Sequence, residues 1–120
     1  NLSNNLIESI HEGAFKGLPN LERLDLSNNQ LESIPDDAFK GLPILVNLHL
    51  NYNRLRNIPR AAFSGMLRLT LLDLSNNLLE SISDGAFQGV PGLFVLFLNS
   101  NRLRSISQSS FSGMAQLSIG

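Results

Sequence analysis

Residues 21–31 read LERLDLSNNQL, and the same frame returns as LVNLHLNYNRL at 45–55, LTLLDLSNNLL at 69–79 and LFVLFLNSNRL at 93–103. Starts at 21, 45, 69 and 93 give an interval of 24 residues, within the range of a solenoid repeat. Extending the frame in both directions aligns whole columns. Asn5, Asn29, Asn53, Asn77 and Asn101 fall in one; Ile10, Ile34, Ile58, Ile82 and Ile106 in a second; Phe15, Phe39, Phe63, Phe87 and Phe111 in a third.

Each L-x-L core, such as Leu24-Asp25-Leu26, alternates apolar and polar residues with the period of a strand that has one buried face. The leucines are predicted to point inward and the residues between them outward. After the strand, Asn29 begins a turn and Leu31 and Ile34 return to the core. Pro35 to Gly41 then reads as a short helical turn, with proline near its start and glycine near its end. A lone unit has too little apolar surface to offset the ordering of its backbone. Stacked units share one core and pair their strands into a parallel sheet, so stability comes from neighbour interfaces.

Two columns are assigned structural roles. A buried asparagine must satisfy its amide, and the column from Asn5 to Asn101 does so by bonding backbone groups of its own and adjacent turns. The phenylalanine column from Phe15 to Phe111 forms a spine on the convex side. Units two apart agree better than neighbours: the segment from Leu21 matches that from Leu69 at about two-thirds of positions. Glu32, Arg56, Glu80 and Arg104 follow this longer period and are expected to form a flank column of alternating charge.

The frame L-x-x-L-x-L-x-x-N-x-L resembles the signature of the leucine-rich repeat family over the whole chain. The stretch Ile34 to Leu42 resembles the typical subclass of animal extracellular proteins, such as Toll-like receptors and adhesion ectodomains. The resemblance implies an α/β fold of the leucine-rich repeat solenoid class. This is a curved horseshoe segment of about five repeats, with a concave parallel β-sheet and short 3-10 or irregular convex returns. One segment spans 1–120, with units at approximately 1–20, 21–44, 45–68, 69–92 and 93–116 and a partial unit at 117–120. Members of the subclass close their ends with disulfide-bonded caps, whereas this sequence contains no cysteine. The resemblance further implies a non-enzymatic protein-recognition module that binds a protein or peptide on its concave sheet, in an extracellular or cell-surface receptor or adhesion protein. The alternative reading is a structural unit that stacks head to tail through uncapped ends, making self-association a second expectation.

Nine Lys and Arg against ten Asp and Glu leave a net charge of −1. This balance gives no electrostatic bias toward phosphate, so no nucleic-acid partner is expected. No apolar run approaches the roughly 18 residues needed to span a bilayer, so no membrane insertion of this segment is expected. No cofactor and no metal are expected either. Asn1-Leu2-Ser3 matches the N-glycosylation acceptor pattern.

The outward strand positions define the candidate partner-binding residues Arg23, Asp25, His49, Leu71, Asp73, Val95 and Phe97, with Tyr52 at the adjacent turn edge. Leu71, Val95, Phe97 and Ile119 are expected to form an apolar cluster toward the C-terminal side. His49 falls between Asp25 and Asp73, an arrangement that favours an imidazolium and a pH-dependent contact. Ser27 and Ser75 lie diagonal to His49, about 7–8 Å away, without an oxyanion donor pair, so no catalytic residues are assigned.

Overall fold

A computed structural model describes residues 2–11, 14–15, 20–35, 38–39, 42–60, 62–87 and 89–104, together with the backbone of 118–119. Asn1, Ile106 and Phe111 lie outside the described residues. The L-x-L segments form strands where alternation predicts them: β1 (Arg23–Asp25), β2 (Asn47–His49), β4 (Leu71–Asp73) and β6 (Val95–Phe97). With β7 (Ser118–Ile119) they make a parallel sheet in the order β1-β2-β4-β6-β7. Two further strands, β3 (Asn57–Ile58) and β5 (Ser81–Ile82), pair in parallel as a separate ribbon on the return side.

The register from β1 to β6 advances by one repeat at every step. Leu24, Leu48, Leu72 and Leu96 oppose one another, and Asp25, His49, Asp73 and Phe97 form the neighbouring row. At β7 the step shortens by one residue: Leu96 is registered with Ile119, and Val95 with Ser118. Strict repetition would have put Ile119 in the Val95 row and Gly120 in the leucine row; the backbone register instead sets Ile119 in the row of Leu96, not in that of Val95 and Leu71. A one-residue slip exchanges the two faces of a strand, and this slip registers an isoleucine with a buried leucine, where a glycine would supply no apolar side chain.

The interior follows the columns. The inward-facing leucines of the L-x-L segments, from Leu24 to Leu98, are at most 6% exposed, and Leu31, Leu55, Leu79, Ile58 and Met66 are fully buried. Phe15, Phe39, Phe63 and Phe87 stack in sequence, with ring centroids 5.9, 5.9 and 6.0 Å apart and nearly parallel planes. Parallel strands sit about 4.8 Å apart. The wider repeat along the aromatic spine, against the narrower one along the sheet, bends the stack so that the sheet lies on the concave side.

The asparagines hold units together. In Asn53 the side-chain amide donates to the carbonyls of Leu50 (3.0 Å) and Asn51 (3.4 Å) in its own turn and of Leu26 (3.0 Å) in the unit before. Its Oδ1 accepts the Leu31 amide at 3.0 Å. Asn29, Asn77 and Asn101 repeat the pattern, with Oδ1 accepting from Ile7, Leu55 and Leu79. Asn5 is exposed and bonds only its own turn, through the Leu2 and Ser3 carbonyls.

No helix occurs among the described residues. The helical turn predicted from Pro35 to Gly41 lies partly outside the described residues; the described parts of the returns carry tight-turn bonds, in which the amides of Ala14, Ala38, Ala62 and Ala86 donate to the carbonyls of His11, Pro35, Pro59 and Ser83. Further bonds of this kind follow, from the amides of Leu45, Met66, Leu69 and Leu93 to the carbonyls of Leu42, Phe63, Met66 and Val90, so the returns are chains of single tight turns.

Candidate recognition surface

The outward residues of each strand are set by alternation and held in rows by the ladder. Arg23, Asn47, Leu71 and Val95 make one row, and Asp25, His49, Asp73 and Phe97 the other. Leu71, Val95 and Phe97 are therefore brought together, but all three are half-buried by their neighbours on the sheet. Arg23 is exposed and pairs with Asp25 at 3.6 Å, the only ion pair among the described residues. The alternating flank of Glu32, Arg56, Glu80 and Arg104 makes no ion pair among the described residues. All four side chains are exposed, where the Coulomb gain is too small to hold long chains in one geometry.

Asp25 and Asp73 do not reach toward His49. Each carboxylate turns along its own strand: Asp25 Oδ1 accepts the Ser27 hydroxyl at 2.6 Å and the Ser27 amide at 3.0 Å, and Asp73 does the same with Ser75. The serine hydroxyls are thereby engaged at 7% exposure. Burial pushes the Asp25 carboxyl upward. The two bonds from Ser27, with His49 and Arg23 nearby, outweigh it and hold the group below the ordinary 3.8. His49 Nε2, on β2, and Asn51 Oδ1, just past it, are buried without a hydrogen-bond partner among the described residues. Among the described residues no three of His, Asp and Glu converge so as to hold a metal ion.

Tyr52 lies just past β2, where every unit turns through the left-handed region. Asn4, Asn28, Tyr52, Asn76 and Ser100 have φ between 55° and 59°. Asparagine tolerates this conformation, whereas a bulky side chain is strained there by about 1 kcal/mol. The repeat imposes it, since the amides of Asn28, Tyr52 and Asn76 donate to the carbonyls of Asn51, Ser75 and Asn99 in the following unit. Tyr52 is 53% exposed. It lines a shallow groove of about 430 Å³ on the turn flank with Leu6, Asn28, Gln30, Arg54 and Asn76.

Sequence reasoning placed Tyr52 at this edge but missed the groove around it. It also missed the most exposed apolar side chains, Leu6 at 78%, Leu67 at 64% and Phe94 at 51%. A partial signal was present: Leu6 shares a column with Gln30, Arg54 and Arg102 as well as Leu78, and Phe94 one with Glu22 and Thr70 as well as Val46, so each stands apolar in a column of mixed character.

A leucine rich repeat family model matches residues 1–55, 44–103 and 68–119. A crystal structure of a TLR13–ssRNA13 complex is 30% identical, with a TM-score of 0.89, over 99% of this chain and 18% of that one. The glycosylated form of the Drosophila Toll–Spatzle complex is 31% identical, also with a TM-score of 0.89, over 99% of this chain and 17% of that one. The chain thus spans less than a fifth of either. No curated protein matches its sequence. The first of these structures corrects the exclusion of nucleic acid drawn from net charge: a neighbour of the same architecture forms a complex with single-stranded RNA. Net charge averages over the whole surface, while a binding site depends on the local arrangement of a few side chains.

Proposed function

This chain belongs to the leucine-rich repeat family, and from that premise we propose that it is a non-enzymatic recognition module that binds a protein or nucleic-acid partner through its concave sheet. The observation carrying this reading is the pair of outward rows, in which Arg23, Asp25, His49, Leu71, Asp73, Val95 and Phe97 are presented side by side on a parallel ladder in constant register. A rigid scaffold loses little conformational freedom on binding, which favours affinity. A receptor at a cell surface or in an endosomal membrane is the setting supported by the two Toll-type neighbours. Among the described residues no helix is long and apolar enough to cross a membrane. The serines nearest His49 donate to their own aspartates, an arrangement that supports recognition over hydrolysis.

The test is titration of the chain with candidate protein ligands and with a single-stranded RNA oligonucleotide, repeated on Leu71→Ser and Phe97→Ala. Loss of binding with an unchanged circular dichroism spectrum supports the concave face. Unchanged affinity in both variants removes it.

A further inference from the structure

We infer that the flank groove around Tyr52 is a distinct recognition site, one that takes an extended peptide segment of a protein partner. The inference rests on the reading of the chain as a recognition module, but not on the concave face being its contact surface.

The first observation is the strain at Tyr52. Its column is otherwise Asn4, Asn28, Asn76 and Ser100, so the frame is served by small polar residues. Tyrosine brings a conformational cost there, its ring stays half exposed, and its hydroxyl makes no hydrogen bond among the described residues. An outlier in the left-handed region at an accessible position, maintained by the surrounding ladder, is a mark of function.

The second observation is the chemistry beside it. Asn29 and Asn53 spend their amides on the ladder, but the side chains of Asn28, Gln30 and Asn76, which line the groove, make no hydrogen bond among the described residues. Planar amide donors and acceptors match those of a peptide backbone. The ring of Tyr52 and the exposed Leu6 offer an apolar seat for a side chain, and Tyr and Arg are the residue types that anchor protein interfaces. The groove reaches from the unit of Leu6 to that of Asn76, three strand spacings or about 14 Å, enough for about four extended residues.

Charge separates a peptide from a nucleic-acid strand at this site. Arg54 is the one cation in the groove, and on its far side it shares a smaller recess with Glu8 and Glu32. A phosphate chain draws its affinity from several cations and would meet these carboxylates. A neutral peptide, with one carbonyl or one acidic side chain on Arg54, fits better.

The test uses the full chain, isotope-labelled for NMR, with three probes: the tightest peptide selected from a random display library, oligouridylate and maltohexaose. The peptide should shift the amides of Asn28, Gln30, Tyr52, Arg54 and Asn76. It should bind Tyr52→Asn about tenfold more weakly and Phe97→Ala unchanged. Tyr52→Asn should also melt about 2–5 °C higher, because asparagine relieves the strain. The proposal is overturned if Tyr52→Asn binds the peptide as well as the parent, if its melting point does not rise, or if oligouridylate or maltohexaose shifts the groove and no peptide does. Peptides that shift only Leu71 and Phe97 overturn the groove and leave the concave reading standing.

Discussion

Replacing Asn53 with alanine tests how the repeats are held together. The side chain makes four hydrogen bonds, three donated and one accepted, at 7% exposure. Their loss is not uniform. The Leu26 carbonyl keeps the Asn29 amide at 2.9 Å, and the Leu50 carbonyl keeps the Asn77 amide at 3.0 Å, so each retains a partner. The Leu31 amide has no second acceptor among the described residues, and Leu31 is fully buried. One orphaned buried donor costs about 1–3 kcal/mol, and two weakened carbonyls about 0.5–1 kcal/mol each, for a total of about 2–5 kcal/mol. Asn5→Ala, which removes exposed bonds within one turn, should cost less than about 1 kcal/mol. Urea unfolding followed by circular dichroism measures both, and hydrogen exchange at the Leu31 amide locates the damage. Equal destabilisation by the two substitutions, or an unchanged exchange rate at Leu31, would refute the bridging argument.

Phe63→Ala removes a fully buried ring stacked between Phe39 and Phe87 and should destabilise the chain by about 3–5 kcal/mol in the same unfolding assay. Gly89 and Gly65 both have φ near +90°, but a Cβ at Gly89 would lie 3.0 Å from Ser64 Cα and one at Gly65 would meet nothing. Alanine at Gly65 should therefore cost about 1 kcal/mol and at Gly89 clearly more, with equal losses counting against the close approach. The Asp25 carboxyl is held below its unfolded value, so its contribution to stability is present above that value and is lost as pH falls through the folded one, below about pH 4. Ser27→Ala removes the hydroxyl bond and should move the Asp25 titration upward in a carboxyl NMR experiment; an unmoved titration contradicts the assigned cause.

Much of this architecture was legible in the chain because its core positions are local and periodic. A leucine at every L-x-L site, an asparagine that can bridge two turns and a phenylalanine once per unit each state their burial without reference to distant residues. The outward rows were legible for the same reason, since alternation assigns their face and constant spacing their register. Side-chain direction within those rows was not. Asp25 and Asp73 turn toward Ser27 and Ser75 because a serine two residues on offers two short bonds at once, a local competition that column alignment does not weigh.

Sequence by itself therefore determined the stacking of units, the buried ladder and the identity of the concave residues, because each depends on spacing along the chain. Only the tertiary structure decided the β3–β5 ribbon, the shortened step that registers Ile119 with Leu96, and the strain of Tyr52 beside a groove shared by several units. Those features arise where side chains and turns from different repeats meet. Their geometry is fixed by how closely the units approach, a quantity that no single repeat encodes.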